Sequence, residues 1–390
     1  MKVCIETSTF RVRFAGIAYF AWFLARHMID RHPEIDLWGF DGGGFRKLDE
    51  DYLSSSLTAN GTAALSSHTY QRLREIPMMR QAFRAYKQRV FMKGVTSFDL
   101  FHAVNSAPPR DPDVPVLPLV HDVSHKRYPQ THPAERVAWL DERLGNLGRF
   151  PLVNTVSHFS AREISELLDF PIERIRVSYP GVDPLFRRPA EAAALASLER
   201  WGLRPRGFFL TVGTIEPRKN HRVLVEAYSL LPRAFRIEHP LVFVGQPGWG
   251  RLETPNIEHL RKEGSLIFTG YVDRPCLRAL HAQATAMLFP TLYEGFGIPV
   301  AEAMAAGLPV VASDIEVMRE VAHPVARFVA PTAAEAWCQA IRDMADLADG
   351  DRAALSARSI QASQKFNWDA TAASVADIYR ELVPRHALAG

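Results

Sequence analysis

The sequence predicts an α/β chain built on parallel sheet, with room for two domains, and three observations predict it. Residues 285–314 read as strand, glycine loop, helix and strand, a βαβ unit that implies a parallel sheet. Short apolar runs ending in glycine recur at 208–212 before Gly213, at 241–244 before Gly245 and at 266–269 before Gly270. The 390 residues, 47% of them hydrophobic, suffice for two domains. Pro184, Pro189 and Pro205 in 181–206 mark the boundary, giving 1–185 and 186–371, with a last helix over 372–390.

The elements follow in order. Residues 2–6 form a first strand, and a polar stretch leads through Gly16 to a helix over 18–30. A glycine between a first strand and its helix suits either a tight turn or a close approach of backbone to ligand. Residues 36–40 are the second strand. Beyond Pro77, Met79, Phe83, Tyr86 and Val90 recur at helical spacing, and Arg80, Arg84, Lys87, Arg89 and Lys93 share that segment. No acidic residue falls between Met78 and Lys93. The helix is either packed on the sheet with a basic solvated face or lies against anionic lipid or a phosphorylated acceptor.

Strands at 98–103 and 115–120 come next, the latter ending in His121 and Asp122. A histidine at the carboxyl end of a parallel strand either caps local backbone or faces the crevice where such sheets bind ligands. A strand at 152–157 precedes a helix over 161–168, with Ser157 or Ser160 as its N-cap. After the boundary, the strand at 208–212 opens a loop holding Arg218 and Lys219 at a helix entrance, where their charges and the helix dipole both favour a diphosphate.

In 285–314 the apolar run 286–290 is a buried strand, and Gly295 and Gly297 lie in the loop after it. Pro299 suits the first turn of a helix over 300–306, Gly307 stops it, and 308–312 is the next strand. Glu294 lies in the loop and Glu302 on the helix. Amides at Gly295, Phe296, Gly297 and Ile298, flanked by two carboxylates, suit a molecule that is phosphate at one end and sugar at the other. An ordinary turn with two solvated glutamates would look the same.

The whole run from Glu294-Gly-Phe-Gly-Ile-Pro to Glu302 and on through Ala-Met-Ala-Ala-Gly-Leu-Pro closely resembles the donor-sugar signature of the retaining GT-B glycosyltransferases of family 4. The resemblance covers nearly the whole chain, dense in 208–314 and thin in 40–110. It implies a GT-B fold, two Rossmann-like domains facing across a cleft, acceptor on the first and nucleotide sugar on the second. By resemblance Glu294 and His121 contact the donor sugar and Glu302 the ribose. Gly16, Gly213 and the 295–298 amides then face the phosphates, while Tyr271 and Val272 lie by the base. Arg218 and Lys219 match the family's phosphate-binding Pro-Arg-Lys, although Thr214 stands where many members have arginine. The last helix is expected to return to the first domain.

The implied reaction moves a hexose from a nucleotide diphosphate sugar to a saccharide or lipid-linked acceptor with retention, stabilised electrostatically. Mannose from GDP-mannose is favoured, because the passage 213–220 resembles bacterial surface-polysaccharide mannosyltransferases. A metal is not required in that scheme. The strings Asp49-Glu-Asp51 and Asp111-Pro-Asp113 lie in polar or proline-rich stretches and read as surface carboxylates.

Three other readings stay open. Glu294 and Glu302 could serve a glycoside hydrolase if their carboxyls stood about 5–10 Å apart, but Arg218 and Lys219 have no purpose there. A nucleotide-sugar epimerase would share the architecture, and a silent sugar-nucleotide-binding module would lack the intact Glu294, Glu302 and Lys219 set. A net charge of +3 implies no general nucleic-acid affinity. Cys4, Cys276 and Cys338 are far apart and form no metal pattern, so they read as reduced core residues of a cytoplasmic protein. No signal peptide is evident, and the apolar 14–25 is about half the length that spans a bilayer. Contact with a membrane would then be peripheral, at its inner face.

Overall fold

The computed structural model describes residues 1–11, 16–59, 77–108 and 112–383. Two compact units divide the chain: residues 1–123, 138–181 and 367–390 form one, and 124–137 with 182–366 the other. The segment 124–137 thus goes with the second unit, away from its sequence neighbours. It is tied there by the Trp249 Nε1–H donating to the Thr131 carbonyl at 2.7 Å and by the edge-on Tyr128 and Tyr293 rings.

The first unit holds a seven-stranded sheet of order β3-β2-β1-β4-β5-β6-β7. Its strands are β1 (Lys2–Glu6), β2 (Asp36–Phe40), β3 (Phe45–Lys47), β4 (Leu100–Ala103), β5 (Val116–Val120), β6 (Val153–Thr155) and β7 (Ile175–Val177). All neighbours are parallel except β2 and β3. The short β3 and β7 are not in the sequence reading. Ser157 is the N-cap of the helix His158–Leu168: its hydroxyl accepts from the Ser160 N–H, in extended backbone. Phe91 packs tilted against Phe40 and edge-on against Phe101 in this unit's core.

The chain leaves the second unit between Phe366 and Asn367, and the helix Trp368–Leu382 packs in the first. Trp368 packs against Phe20 and Phe23, and the buried Tyr379 hydroxyl meets His102 Nδ1 at 2.8 Å. Thr371 donates to the Tyr179 carbonyl at 2.6 Å.

In the second unit the sheet runs β10-β9-β8-β11-β12-β13, all parallel. Its strands are β8 (Phe209–Val212), β9 (Leu241–Val244), β10 (Leu266–Gly270), β11 (Ala286–Phe289), β12 (Val310–Ser313) and β13 (Arg327–Val329). β8, β9, β11 and β12 are buried at every position. Such uninterrupted apolar runs are what a parallel sheet covered on both faces requires. Tyr228, Phe243, Leu288 and Trp337 anchor its core. The strand order reverses between β8 and β11, and ligands in such sheets bind outside the carboxyl ends of the strands at that point.

Candidate active site

The loops after β8 and β11 meet at the switch point, and they carry the residues that the sequence singles out. Gly213 follows β8, then Pro217–Lys219 forms a 3₁₀ turn, and the helix His221–Leu230 begins after Asn220. Arg218 and Lys219 therefore lie at the entrance of that helix, directly ahead of its first turn. Asn220 takes left-handed backbone, φ 54°, and its amide donates to the carbonyls of Pro290 at 3.0 Å and Pro331 at 2.7 Å. That one side chain joins the loops after β8, β11 and β13.

Arg218 is locked from both ends. Its guanidinium donates to the Tyr293 carbonyl at 2.6 Å and to Glu216 at 2.7 Å, and stands 3.2 Å from Glu294. Its own carbonyl accepts from the Leu292 N–H at 2.9 Å. Lys219 forms an ion pair with Glu294 and lies over the Phe289 ring. Thr291 donates its hydroxyl to Glu294 at 3.1 Å. Two cations thus meet two carboxylates in a largely buried cluster, with side chains between 4% and 13% exposed. The alternative of a solvated basic pair and a solvated Glu294 does not hold: the charges pair with one another.

Gly297 stands before the helix Ile298–Ala305 at φ 98°, a conformation that disfavours side chains. A Cβ there would come within 2.6 Å of the Met318 methyl. No side chain caps this helix end; Pro299 has no N–H, and the Val300 and Ala301 N–H groups donate to the Gly297 carbonyl at 2.9 and 3.3 Å. Phe296 is buried edge-on against Phe366, so it can offer a donor only its backbone. Glu302 is also buried, and burial pushes its carboxyl above the ordinary range while Arg274 at 2.8 Å draws it down. Tyr271, just past β10, is 42% exposed, with the half-buried Val272 beside it.

His121 is in the first unit, just past β5. Its Nε2–H donates to the Val104 carbonyl at 2.9 Å, and Phe20 packs edge-on against the ring. Burial pushes the imidazole below its usual range, so His121 is neutral and offers Nδ1 as an acceptor. Gly16 is exposed as the first residue of the helix Gly16–Arg31, with open space where a Cβ would point.

In the helix Pro77–Gly94 the side chains of Arg80 and Arg84 lie outside the described residues. Lys87 is half-buried with its amine end near Gly42, and Arg89 is exposed. Tyr86, expected on the buried stripe, is 57% exposed, while Phe91 is buried instead. Asp49 caps the helix Glu50–Ala59 by accepting from the Tyr52 N–H, and Asp51 lies in its first turn. Asp111 lies outside the described residues, and no three potential metal ligands gather among the described ones.

Sequence reasoning missed Glu216, Asn220, Thr291 and Arg274. Asn220 and Glu216 flank the basic pair, so their only signal is position. Arg274 comes 28 residues before Glu302 and is joined to it by the fold alone.

Two family profiles match: Glycosyltransferase Family 4 over residues 14–185 and Glycosyl transferases group 1 over 200–363. The chain is 29% identical to the O-antigen chain mannosyltransferase B of Escherichia coli over 98% of this chain and all of the relative. Sucrose-phosphate synthase from Thermosynechococcus elongatus superposes with a TM-score of 0.68 at 20% identity, covering 98% of both chains. Anabaena HepE in complex with UDP and glucose gives 0.66 at 16% identity, over 98% of this chain and all of the other. With both profiles matched in order on two parallel-sheet units, the chain belongs to the family 4-like glycosyltransferases of the GT-B fold.

Proposed function

We propose that the chain is a retaining mannosyltransferase that moves mannose from GDP-mannose to a saccharide or lipid-linked acceptor in surface-polysaccharide or glycolipid synthesis. The observation that carries this reading is the switch-point cluster, where Lys219 and Arg218 meet Glu294 beside the uncapped helix Ile298–Ala305. A diphosphate entering there takes the two cations from Glu294, and the freed carboxylate accepts hydrogen bonds from sugar hydroxyls. As the anomeric carbon–oxygen bond breaks, Arg218, Lys219 and the loop amides stabilise the charge developing on the leaving phosphate. The acceptor oxygen attacks on the same face, and its proton passes to a phosphate oxygen. Glu302 takes the ribose, and Tyr271 and Val272 the base. No metal is needed, because the two cations and the amides supply the positive charge. The mannose preference is supported by the full-length likeness to an O-antigen mannosyltransferase.

Among the described residues no helix is long and apolar enough to cross a membrane. The helix Pro77–Gly94 instead offers exposed Tyr86, Arg89 and Lys93, three to four residues apart, a face suited to anionic lipid on the cytoplasmic side.

The test is incubation with GDP-mannose, UDP-glucose or dTDP-glucose and a lipid-linked acceptor extract in EDTA, with product anomers assigned by NMR. Acceptor-dependent GDP release with an α-linked product from the α-donor supports the reading. Release only with added magnesium, or an inverted product, defeats the metal-free retaining mechanism. Transfer only from another donor defeats the mannose assignment.

A further inference from the structure

Glu302 does not stand alone in its pocket. Arg274 Nη2 lies 2.8 Å from Glu302 Oε1 and 2.7 Å from Asp183 Oδ2, and Arg274 Nε lies 3.0 Å from that same Asp183 oxygen. The guanidinium carbon also stands 4.7 Å from the Phe186 ring centre. Each member is fixed independently. Asp183 Oδ1 accepts from the Leu185 N–H at 2.9 Å at the start of the 3₁₀ turn Pro184–Arg187. Arg274 opens the helix Arg274–Gln283, whose N-cap Asp273 accepts from the Cys276 N–H at 2.8 Å.

We propose that Asp183 and Arg274 are a positioning pair in which Asp183 orients Arg274, and Arg274 counter-charges the Glu302 carboxylate and aims it at the ribose of the donor nucleotide. The inference rests on the reading of Glu302 as the ribose contact. Side-chain exposures of 5% for Glu302, 15% for Asp183 and 19% for Arg274 leave little water to solvate an isolated carboxylate, which would take up a proton instead. Arg274 opposes that effect of burial, and Asp183 fixes the rotamer of Arg274 by accepting from both Nε and Nη2 on one oxygen. One cation between two carboxylates leaves the group net negative. It accepts hydrogen bonds from a ribose diol and repels phosphate, whereas Lys219 and Arg218 attract phosphate. The two clusters together set which way round the nucleotide enters.

The experiment compares binding of GDP, UDP and ADP with their 2′,3′-dideoxy counterparts by calorimetry from pH 5.5 to 8.5. It uses the full chain and the variants Arg274→Met, Arg274→Lys, Asp183→Asn and Glu302→Gln. Losing charged hydrogen bonds to the diol should cost roughly 10–100-fold, so the wild type should prefer its ribonucleotide by that factor. Arg274→Met should lose this preference at pH 6–7 and regain it as pH rises, when Glu302 ionises without its counter-charge. Arg274→Lys should hold the preference near neutral pH, and Asp183→Asn should lie between. A purely packing role for Arg274 would give no recovery with pH, so a pH-independent loss, or a wild-type preference in both Arg274→Met and Asp183→Asn, overturns the proposal. Persistence of the preference in Glu302→Gln instead overturns the ribose reading, and failure of all three ribonucleotides to bind overturns both.

Discussion

Lys219 and Glu294 hold each other, so truncating either partner has a two-sided effect. Lys219→Ala removes a charged hydrogen bond to the diphosphate, worth roughly 1.5–3 kcal/mol, or about 10–100-fold in kcat/KM for donor. Unchanged kinetics would remove Lys219 from the phosphate site. Glu294→Gln keeps the shape but leaves Lys219 without its counter-charge. Nucleoside diphosphate should then bind several-fold more tightly while sugar transfer collapses, a split that calorimetry and a transfer assay read directly. Weaker diphosphate binding in this variant would show that Glu294 orients the cations rather than competing for them. Neither the pair nor its buried environment could be read from the sequence, because 75 residues separate the partners and only the strand order brings them together. The residue types were legible, since glycine loops, Arg218-Lys219 and the Glu294–Glu302 spacing all carry local chemistry.

Elements were legible where periodicity is strong and blurred where tertiary packing decides. β1 and β2 match their apolar runs residue for residue, whereas β3 and β7, three residues each, are held by neighbouring strands more than by their own pattern. In the helix Pro77–Gly94 the stripe through Tyr86 and Val90 has the right spacing, yet Phe40 and Phe101 recruit Phe91 and turn Tyr86 outward. An exposed Tyr86 beside Arg89 and Lys93 makes a concrete expectation: Arg89→Glu with Lys93→Glu should abolish pelleting with vesicles containing anionic phospholipid and leave nucleotide binding intact. Equal pelleting would make this a solvated face. The loop after β9 gives a second test. Gly245 has φ 153°, and a Cβ there would fall 1.9 Å from the Gly213 carbonyl oxygen, which is backbone and cannot swing away. Gly245→Ala should therefore displace the Gly213 loop, lowering stability by about 1–3 kcal/mol and weakening diphosphate binding with it. A crystal structure of this variant with the loop unmoved and binding intact would contradict that coupling.

Across the whole molecule, the buried histidines give the chain a pH dependence that its modest net charge does not suggest. Burial pushes His102, His221 and His281 down to about 3, and His121 and His239 below their ordinary range. Below pH ~6.5 the unfolded chain protonates these rings while the folded chain does not. Their contribution is therefore complete above that pH and is lost progressively as pH falls toward 3. Glu6 and Glu302 act in the opposite sense, since burial raises their carboxyls and the folded chain takes up those protons first. Glu263, held down to about 2 by Arg236 and Ser265, joins the histidines in losing stability, but only below about pH 4.5. Histidines outnumber the opposing carboxylates, so between about pH 6.5 and 4.5 the unfolded chain binds more protons than the folded chain and stability falls as pH falls. Urea midpoints should fall steeply over that range rather than at the carboxylate range. His281, whose Nδ1 lies 2.8 Å from the Leu277 carbonyl and whose ring meets Phe186 edge-on, tests the attribution. His281→Gln keeps a hydrogen-bond donor but does not titrate, and should flatten the slope for the second unit by one proton, about 1.4 kcal/mol per pH unit. An unaltered slope would mean that the His281 ring is hydrated in the folded chain, and that the acid sensitivity of this unit comes from its ion pairs instead.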